Sequence, residues 1–234
     1  MRRAGILGGL GPASTLDYYR GIIDGVRSEA EGSDYPHLII NSVNMTEMLG
    51  YVAREDWDEL VSMLVGAIEQ LEAAGAQFAA IACNTPHIVF ERIQERSALP
   101  LISIVDTACS YAQQENYESV VVLGTRFTMS SGLYTRALNG YGIAAHIPSQ
   151  DEQLFFQDRI EHYLQSGIVT PGYQQQMLGI ARELIERHQA DSLLLGCTEL
   201  PQMIQEGTID TNLINTTQLH IEAIVKKILE VALR

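Results

Sequence analysis

The chain has 234 residues, of which 46% are hydrophobic and 19% charged, and its formal net charge is −14. This composition is typical of a globular protein, and the acidic balance argues against binding nucleic acid or an anionic membrane through clustered Lys and Arg. No apolar run approaches the length of a membrane span, and the start "MRRAGILGGLGP" lacks the features of a secretory signal. Three cysteines do not indicate a disulfide framework, so we expect a reducing, cytoplasmic setting.

Eight short apolar runs predict eight β-strands. In chain order they are "AGILGG", "HLIINSV", "FAAIAC", "LPLISIV", "SVVVLGT", "GIAAHIP", "SLLLGC" and "NLINTT". Amphipathic stretches between them predict helices, among them 56–75, 152–166 and 173–188. In the first of these, Leu60, Leu64, Ile68 and Leu71 recur at helical spacing, and Gly75 follows as the expected C-terminal cap. Continuously apolar strands alternating with helices predict an α/β fold with parallel sheets covered on both faces.

The chain contains an internal repeat. When "GILGGLGPASTLDYYRGI" is placed over "VVVLGTRFTMSSGLYTRAL", Gly8 falls on Gly124 and Tyr18 on Tyr134; when "QFAAIACNT" is placed over "DSLLLGCTE", Cys83 falls on Cys197. The repeat predicts two similar, doubly wound α/β domains, and if these domains face each other, their loops meet in one cleft, which is the expected active site. We expect the first domain to comprise residues 1–103 and 209–234, and the second to comprise 104–208.

Cys83 and Cys197 each end a predicted strand, where parallel α/β sheets bind ligands. Each precedes a predicted helix start, in which Asn84 or Thr85 caps the first helix, with Pro86 in its first position, and Thr198 caps the second. A helix N-terminus favours a thiolate and binds carboxylates. The glycine loop "GGLGPAST" matches neither a dinucleotide fingerprint nor a Walker loop, so it indicates only a close approach of backbone to something else.

Other polar and aromatic residues have simpler interpretations. We expect Cys109 to be a packed core thiol and His87 to be a polar residue of a helix surface or cleft wall. Zinc held by Cys83, His87, Cys197 and Glu199 is disfavoured because the chain has no close Cys-x-x-Cys pair. Three tyrosines are expected to pack helices rather than to bind ligand: Tyr18, Tyr19 and Tyr134. Arg126 follows a strand end and faces either the cleft or the solvent.

These motifs carry a family resemblance. "GGLGPAST…YY", "ACNTPH" and "LGCTEL", with "SVNMTEM", "LGTRFTM", "DEQ" and "INTTQLHIEA", resemble the aspartate/glutamate racemase family of cofactor-independent amino-acid racemases across essentially the whole chain. The resemblance implies two similar α/β domains, often assembled as a homodimer. It implies no cofactor, no metal and a small-molecule amino acid as the partner.

The resemblance also implies a two-base mechanism. Racemisation removes a proton from one face of Cα and returns one to the other, which suits a thiolate and a thiol that exchange roles; Cys83 and Cys197 are the expected catalytic pair. The substrate carboxylate would be held by donors, and Glu199 would assist the second thiol or contact the substrate amine. The expected substrate-binding residues are Leu10 (through its backbone), Asn84, Thr85, Thr125, Thr128, Thr198 and Glu199.

The substrate is expected to be aspartate or glutamate, but Met45 and Gln165 stand where the family's aspartate racemases have a cationic clamp. Either Arg126 or Arg54 replaces the clamp, or the substrate is not acidic. The alternatives are a broad-specificity racemase for non-acidic amino acids, a related cysteine isomerase (hydantoin racemase or maleate isomerase), a decarboxylase, and a non-catalytic amino-acid-binding protein. Decarboxylation needs one protonating cysteine, so the cysteine pair disfavours it.

Overall fold

A computed structural model describes residues 1–30 and 34–230 of the chain. All eight predicted strands are present, and they form two four-stranded sheets whose strand pairs are all parallel. The strands are β1 (Ala4–Gly8), β2 (Leu38–Ser42), β3 (Phe78–Ile81), β4 (Leu101–Ile102), β5 (Ser119–Gly124), β6 (Ala144–His146), β7 (Ser192–Gly196) and β8 (Asn212–Asn215).

Ten α-helices connect these strands in the described part of the chain. They are α1 (Pro12–Glu29), α2 (Met45–Ala53), α3 (Trp57–Ala73), α4 (Phe90–Arg96), α5 (Ile104–Gln114), α6 (Arg126–Ser130), α7 (Leu133–Gly140), α8 (Gln150–His162), α9 (Pro171–His188) and α10 (Thr216–Leu229). The three predicted helices correspond to α3, α8 and α9. None of the described helices is long and apolar enough to cross a lipid bilayer.

Helix α3 shows how sequence signals set an element's limits. Its N-cap is Asp56, and its buried face carries the predicted leucine and isoleucine positions. Gly75 follows with φ +93°, and the amides of Gly75 and Ala76 bond back to the carbonyls of Glu72 and Leu71. This is the Schellman termination that a glycine in the left-handed region provides.

The chain divides into two units. The first comprises Met1–Ile104 and the segment that begins at His220; the second comprises Val105–Leu219. The sheet of the first unit has the order β2-β1-β3-β4 and that of the second β6-β5-β7-β8. In each unit the first strand lies beside the third, and the second strand lies on the first strand's other side. The strand order of the predicted repeat is therefore the same in both units.

In the first unit both faces of the sheet are covered. One face packs on residues of α1 and α10, including Ile22 and Ile224, and the other packs on α2, α3 and α4 through residues such as Leu64 and Ile93. A Cβ at Gly25 of α1 would lie 2.8 Å from Val225 of α10, so glycine allows these two helices to pack closely. In the second unit, α8 and α9 cover one face of the sheet through Phe156, Ile160 and Ala181.

The expected division of the chain needs one correction. It assigned residues 209–219 to the first domain, but strand β8 pairs with β7 from Ser192↔Asn212 to Leu195↔Asn215 and completes the second sheet. The chain returns to the first unit at His220, within α10. The strand predicted at "NLINTT" is present as β8, but nothing local to the strand shows which sheet it joins.

Candidate active site

The carboxyl ends of β1 and β3 adjoin in the first unit. Leu7 pairs with Ile81, and the amide of Ala82 donates to the carbonyl of Leu7 at 2.9 Å, so the loop after β1 lies beside Cys83. Strand order reverses between these two strands, which is where open parallel sheets bind ligands. Cys83 is partly exposed at this position and is not in a disulfide.

The glycine loop after β1 is held tightly in place. Gly9 has φ +79°, and a Cβ there would lie 2.4 Å from the carbonyl oxygen of Val43, so only glycine fits. The hydroxyl of Thr15 accepts from the Gly9 amide at 2.9 Å and donates to the Gly11 carbonyl at 3.1 Å. Ser14 donates to the carbonyl of Ala82 at 3.2 Å and so joins the start of α1 to the segment carrying Cys83.

The expected donors beside Cys83 are buried. Asn84 and Thr85 are only 4% and 8% exposed. The Leu10 side chain lies in the hydrophobic cluster between the first sheet and α2, α3 and α4, which leaves its backbone as the part that could bind a ligand. Asn84 has φ −74° and ψ −46° and makes no side-chain capping bond. It precedes the turn at the predicted N-cap position, with Pro86 in the first turn, but it is already in a helical conformation and its side chain does not cap.

The helix starts predicted after both cysteines are 3-10 turns. They span Thr85–Val89 and Leu200–Gln202, and the second follows Glu199, which also has helical backbone angles. Thr198 therefore caps no helix, and its hydroxyl donates to Glu199 instead. The turn after Cys197 is three residues long and aligns few peptide dipoles, so the helix-dipole argument for thiolate formation is not supported there, whereas the turn after Cys83 leads directly into α4.

The second unit builds a compact polar group directly after β7. The Cys197 thiol donates to Oε2 of Glu199 at 2.9 Å, and the Thr198 hydroxyl donates to the same oxygen at 2.7 Å. Cys197 is 6% and Glu199 7% exposed. In this arrangement the sulfur carries a proton and the carboxylate is its acceptor, so a proton can pass between the two groups without leaving the site.

Thr125 and Thr128 support this group from the end of β5. Their hydroxyl oxygens are 2.9 Å apart, and Thr125 also accepts from the backbone amide of Thr128, as the N-cap of α6. A Cβ at Gly196 would lie 3.0 Å from Cγ2 of Thr128, so the Thr128 methyl packs against the backbone next to Cys197. Thr128 is 1% exposed, which makes it a packing residue of this site.

His87 occupies a different environment from the one expected. It is buried, it stacks on Phe90 with ring centroids 5.0 Å apart, and burial lowers its pKa to about 3. Its Nδ1 lies 2.9 Å from the Cys83 carbonyl oxygen, and its Nε2 accepts from the Ile104 amide at 3.3 Å. Both ring nitrogens are therefore engaged, which removes His87 from the zinc set that the sequence had left open.

Sequence reasoning did not identify His220. Its Nδ1 accepts from the Tyr18 hydroxyl at 2.7 Å, its Nε2 donates to the Ile102 carbonyl at 2.9 Å, and its ring meets that of His87 edge-on. Burial lowers its pKa to about 4. The available signal was a histidine on the apolar face of α10, in line with Ile224 and Ile228.

The remaining predicted residues behave as follows. Tyr18 and Tyr134 are fully buried, but Tyr19 is 51% exposed, so the expectation that it packs a helix was wrong. The side chains of Arg54 and Arg126 are exposed, and Arg54 lies over the Tyr51 ring. Cys109 is fully buried, and desolvation, followed by the nearby Asp106, raises its pKa to about 12, as expected of a core thiol. No group of three potential metal ligands occurs within residues 1–30 and 34–230.

Comparison with known proteins places these features in a family. The broad specificity amino-acid racemase RacX of Bacillus subtilis is 29% identical over 84% of this chain and 85% of its own length. A solved structure of an aspartate racemase homologue from Pyrococcus horikoshii is 30% identical, covers 98% of this chain and 100% of that chain, and has a TM-score of 0.88. The Picrophilus torridus aspartate racemase is 26% identical, with a TM-score of 0.76 over 97% of this chain and 94% of that chain.

The family assignment rests on the length of the match. The model of the family described as Asp/Glu/Hydantoin racemase matches residues 7–224, which include both cysteines and both glycine-containing loops. The solved relatives cover nearly the whole chain. The chain belongs to the Asp/Glu/hydantoin racemase family.

Proposed function

We propose that this chain is a pyridoxal-independent amino-acid racemase in which Cys83 and Cys197 are the two acid/base groups at Cα. The observation that carries the proposal is the repetition of the fold. Each unit places a cysteine that is in no disulfide just beyond the end of its third strand, beside the loop of its first strand. Racemisation needs two such groups, one for each face of Cα.

The proton balance of the proposed reaction is simple. For one enantiomer, the Cys83 thiolate takes the Cα proton, and the Cys197 thiol delivers a proton to the opposite face. Cys83 then ends as a thiol and Cys197 as a thiolate, and the other enantiomer reverses these roles. Both sulfur atoms must reach the same substrate carbon, which is a requirement that this proposal makes of the two units.

Glu199 is proposed to serve Cys197. Its carboxylate accepts the thiol hydrogen bond at 2.9 Å, so it can take the proton and leave a thiolate when Cys197 has to act as the base. Thr198 holds the carboxylate in place by donating to the same oxygen. Cys83 has no equivalent carboxylate two residues later, since Thr85 stands there.

The negative charge that develops during proton removal has to be stabilised. We assign this task to donors that hold the substrate carboxylate: Asn84 and Thr85 beside Cys83, the backbone at Leu10, and Thr198. Thr125 contributes less, because its hydroxyl is engaged with Thr128. Thr128 acts through packing.

Aspartate and glutamate are the first substrates to test, in keeping with the family's description. A second candidate is a racemase of broad specificity for amino acids with uncharged side chains. Two observations favour it: Met45 packs against the hydrophobic cluster of the first unit, and Gln165 is an exposed neutral residue. The RacX relative, which spans most of this chain, carries the name of a broad-specificity enzyme.

A panel of single enantiomers in deuterated water, without pyridoxal phosphate, tests the function and the substrate together. Deuterium at Cα and formation of the opposite enantiomer are followed for aspartate, glutamate and uncharged amino acids. Cys83→Ala and Cys197→Ala should each abolish racemisation, on the order of 10²-fold or more. Cys109→Ala, which removes the buried core thiol, is the matched control and should retain activity. Absence of exchange with every amino acid would refute the proposal.

The expected homodimer and cytoplasmic location belong to the same proposal. The thiols of Cys83 and Cys197 have to stay reduced to act as bases, which suits a reducing compartment. Light scattering after size-exclusion chromatography tests the dimer directly, since a mass near twice 25.9 kDa is expected.

A further inference from the structure

His87 touches the catalytic residue proposed above through the backbone. The Cys83 carbonyl can only accept a hydrogen bond, so the Nδ1 atom 2.9 Å away must carry the imidazole hydrogen. The Ile104 amide can only donate, so Nε2 must offer its lone pair. The two contacts together specify one neutral tautomer, and they tie the Cys83 backbone to the first residue of α5.

A second histidine supports the first. The Ile102 carbonyl fixes the hydrogen of His220 on Nε2, which leaves Nδ1 to accept from the Tyr18 hydroxyl. The two imidazole rings meet edge-to-face, with centroids 6.3 Å apart and planes at 82°. On its other side, His87 lies parallel to the Phe90 ring, at an angle of 7°. The ring of His87 is thus held on both sides as well as at both nitrogens.

The place of this pair in the chain is informative. Ile104 is the last residue of the first unit before the chain enters the second, and His220 is the first residue after it returns. His87 therefore bonds to the residue at which the chain leaves the first unit, and His220 is the residue at which the chain returns to it. We call these two positions the chain crossings. Both crossings are anchored to the segment that carries Cys83, through contacts that lie wholly inside the first unit.

Resting on the function proposed above, we infer that His87 is a positioning residue for Cys83: the Nδ1 hydrogen of its neutral imidazole holds the Cys83 carbonyl in place, while the Ile104 amide and His220 fix the tautomer and the ring. It does not transfer protons itself, because both nitrogens are committed to backbone groups. Burial favours the neutral ring that this role requires, and it keeps the pKa of His87 near 3.

Two substitutions separate the contacts of His87. His87→Asn can donate to the Cys83 carbonyl from about the position of Nδ1, but it loses the contact with Ile104. His87→Gln can accept from the Ile104 amide at about the position of Nε2, but it loses the contact with Cys83. Because misplacing a reacting group by about 1 Å can cost on the order of 10²-fold in rate, we expect His87→Gln to lower kcat by about 10- to 100-fold and KM to change little. His87→Asn should retain activity to within about threefold by the same reasoning.

An isotope effect distinguishes positioning of one base from general damage. The equilibrium constant of a racemase is one, so kcat/KM must fall equally for both enantiomers. If His87→Gln slows only proton transfer at Cys83, the primary deuterium isotope effects measured from the two 2-deuterated enantiomers should become unequal. Equal losses in both variants with unchanged isotope effects, or full activity of His87→Gln, would overturn the inference.

The rate of alkylation by iodoacetamide tests the contact between His87 and the Cys83 carbonyl without any substrate. Peptide mass spectrometry should find faster alkylation of Cys83 in His87→Gln than in the wild type or His87→Asn, because the released segment exposes the thiol. Identical rates in all three proteins would count against the inference even if the chain proved not to be a racemase. Buried Cys109 reports unfolding. If His87→Gln does not fold, Tyr18→Phe takes its place. It should make the isotope effects of the two enantiomers unequal in the same direction, by a smaller amount. An equal change for both enantiomers would overturn the inference.

Discussion

The two buried histidines make the stability of the first unit depend on pH. Each has a folded-state pKa below its usual value of 6.5, about 3 for His87 and about 4 for His220, chiefly because burial disfavours the charged ring. Between those values and 6.5 the unfolded chain binds protons that the folded chain does not. Stability therefore falls as the pH falls through this window, and it is fully present above pH 6.5.

The size of the effect follows from the linkage relation. One group that is neutral when folded and protonated when unfolded changes the free energy of unfolding by about 1.4 kcal/mol per pH unit. Both rings titrate partly at the ends of the range, so the two histidines together contribute roughly 2 kcal/mol per unit between pH 4 and 6. His87→Asn removes one titrating ring. It should lower the pH slope of the free energy of unfolding by about 1.4 kcal/mol per unit over this range.

Urea denaturation at pH 5.0, 5.5 and 6.0, followed by tryptophan fluorescence, measures this slope. The single tryptophan, Trp57, packs against the hydrophobic cluster of the first unit, so it reports on the unit that contains both histidines. Tyr18→Phe is the control: it removes a hydrogen bond worth about 1–3 kcal/mol when its partner stays buried, but both rings remain and the slope should persist. Equal slopes for the wild type and His87→Asn would refute the reasoning.

Three further outcomes are expected. Gly9→Ala should destabilise the fold by about 1–3 kcal/mol and abolish activity, because its φ of +79° and the 2.4 Å approach to Val43 exclude a side chain. The control is Gly66→Ala inside α3, where an added Cβ meets nothing within 4 Å. In the same urea titration, Gly66→Ala should be neutral or stabilise by up to about 1 kcal/mol. Glu199→Gln should lower kcat by about 10²-fold in the racemisation assay, since an amide cannot take the thiol proton; Glu161→Gln on the exposed face of α8 is its control, and undiminished activity of Glu199→Gln would remove Glu199 from the mechanism. Cys109, whose pKa is raised to about 12, should resist iodoacetamide at pH 8 in the folded protein while Cys83 reacts, and prompt labelling of Cys109 would show that its burial is wrong.

The sequence predicted the strands well because their signal is local. Strands such as "SVVVLG" and "SLLLG" are continuous apolar runs buried on both faces, and α3 carries its own spacing and its own terminating glycine. The internal repeat predicted that β1–β4 and β5–β8 form two similar units, which no single segment reveals. The sheet that β8 joins was not predictable. Asn212–Asn215 pairs with β7, which lies earlier in the chain, and no sequence motif in either strand identifies the other as its partner.

The polar network behind Cys83 was missed for a related reason. The bond between Tyr18 and His220 joins residues 202 positions apart, and the bond between His220 and Ile102 spans 118. No periodicity detects such pairs. The cysteines, by contrast, each have a short motif around them, and Glu199, which the sequence singled out beside Cys197, lies 2.9 Å from its sulfur. The helix caps failed because 3-10 turns and α-helices begin with the same residue types.

The most direct test of two opposed thiols is where the first solvent deuteron appears. One enantiomer of an accepted substrate is incubated with the protein in deuterated water, and both enantiomers are isolated at less than a tenth of conversion. Two separate bases predict that the product carries deuterium at Cα while the recovered substrate remains unlabelled, because the proton taken from one face is not the one returned to the other. Deuterium entering the recovered substrate as fast as the product would mean that one base serves both faces, and it would contradict the assignment of Cys83 and Cys197 as a pair.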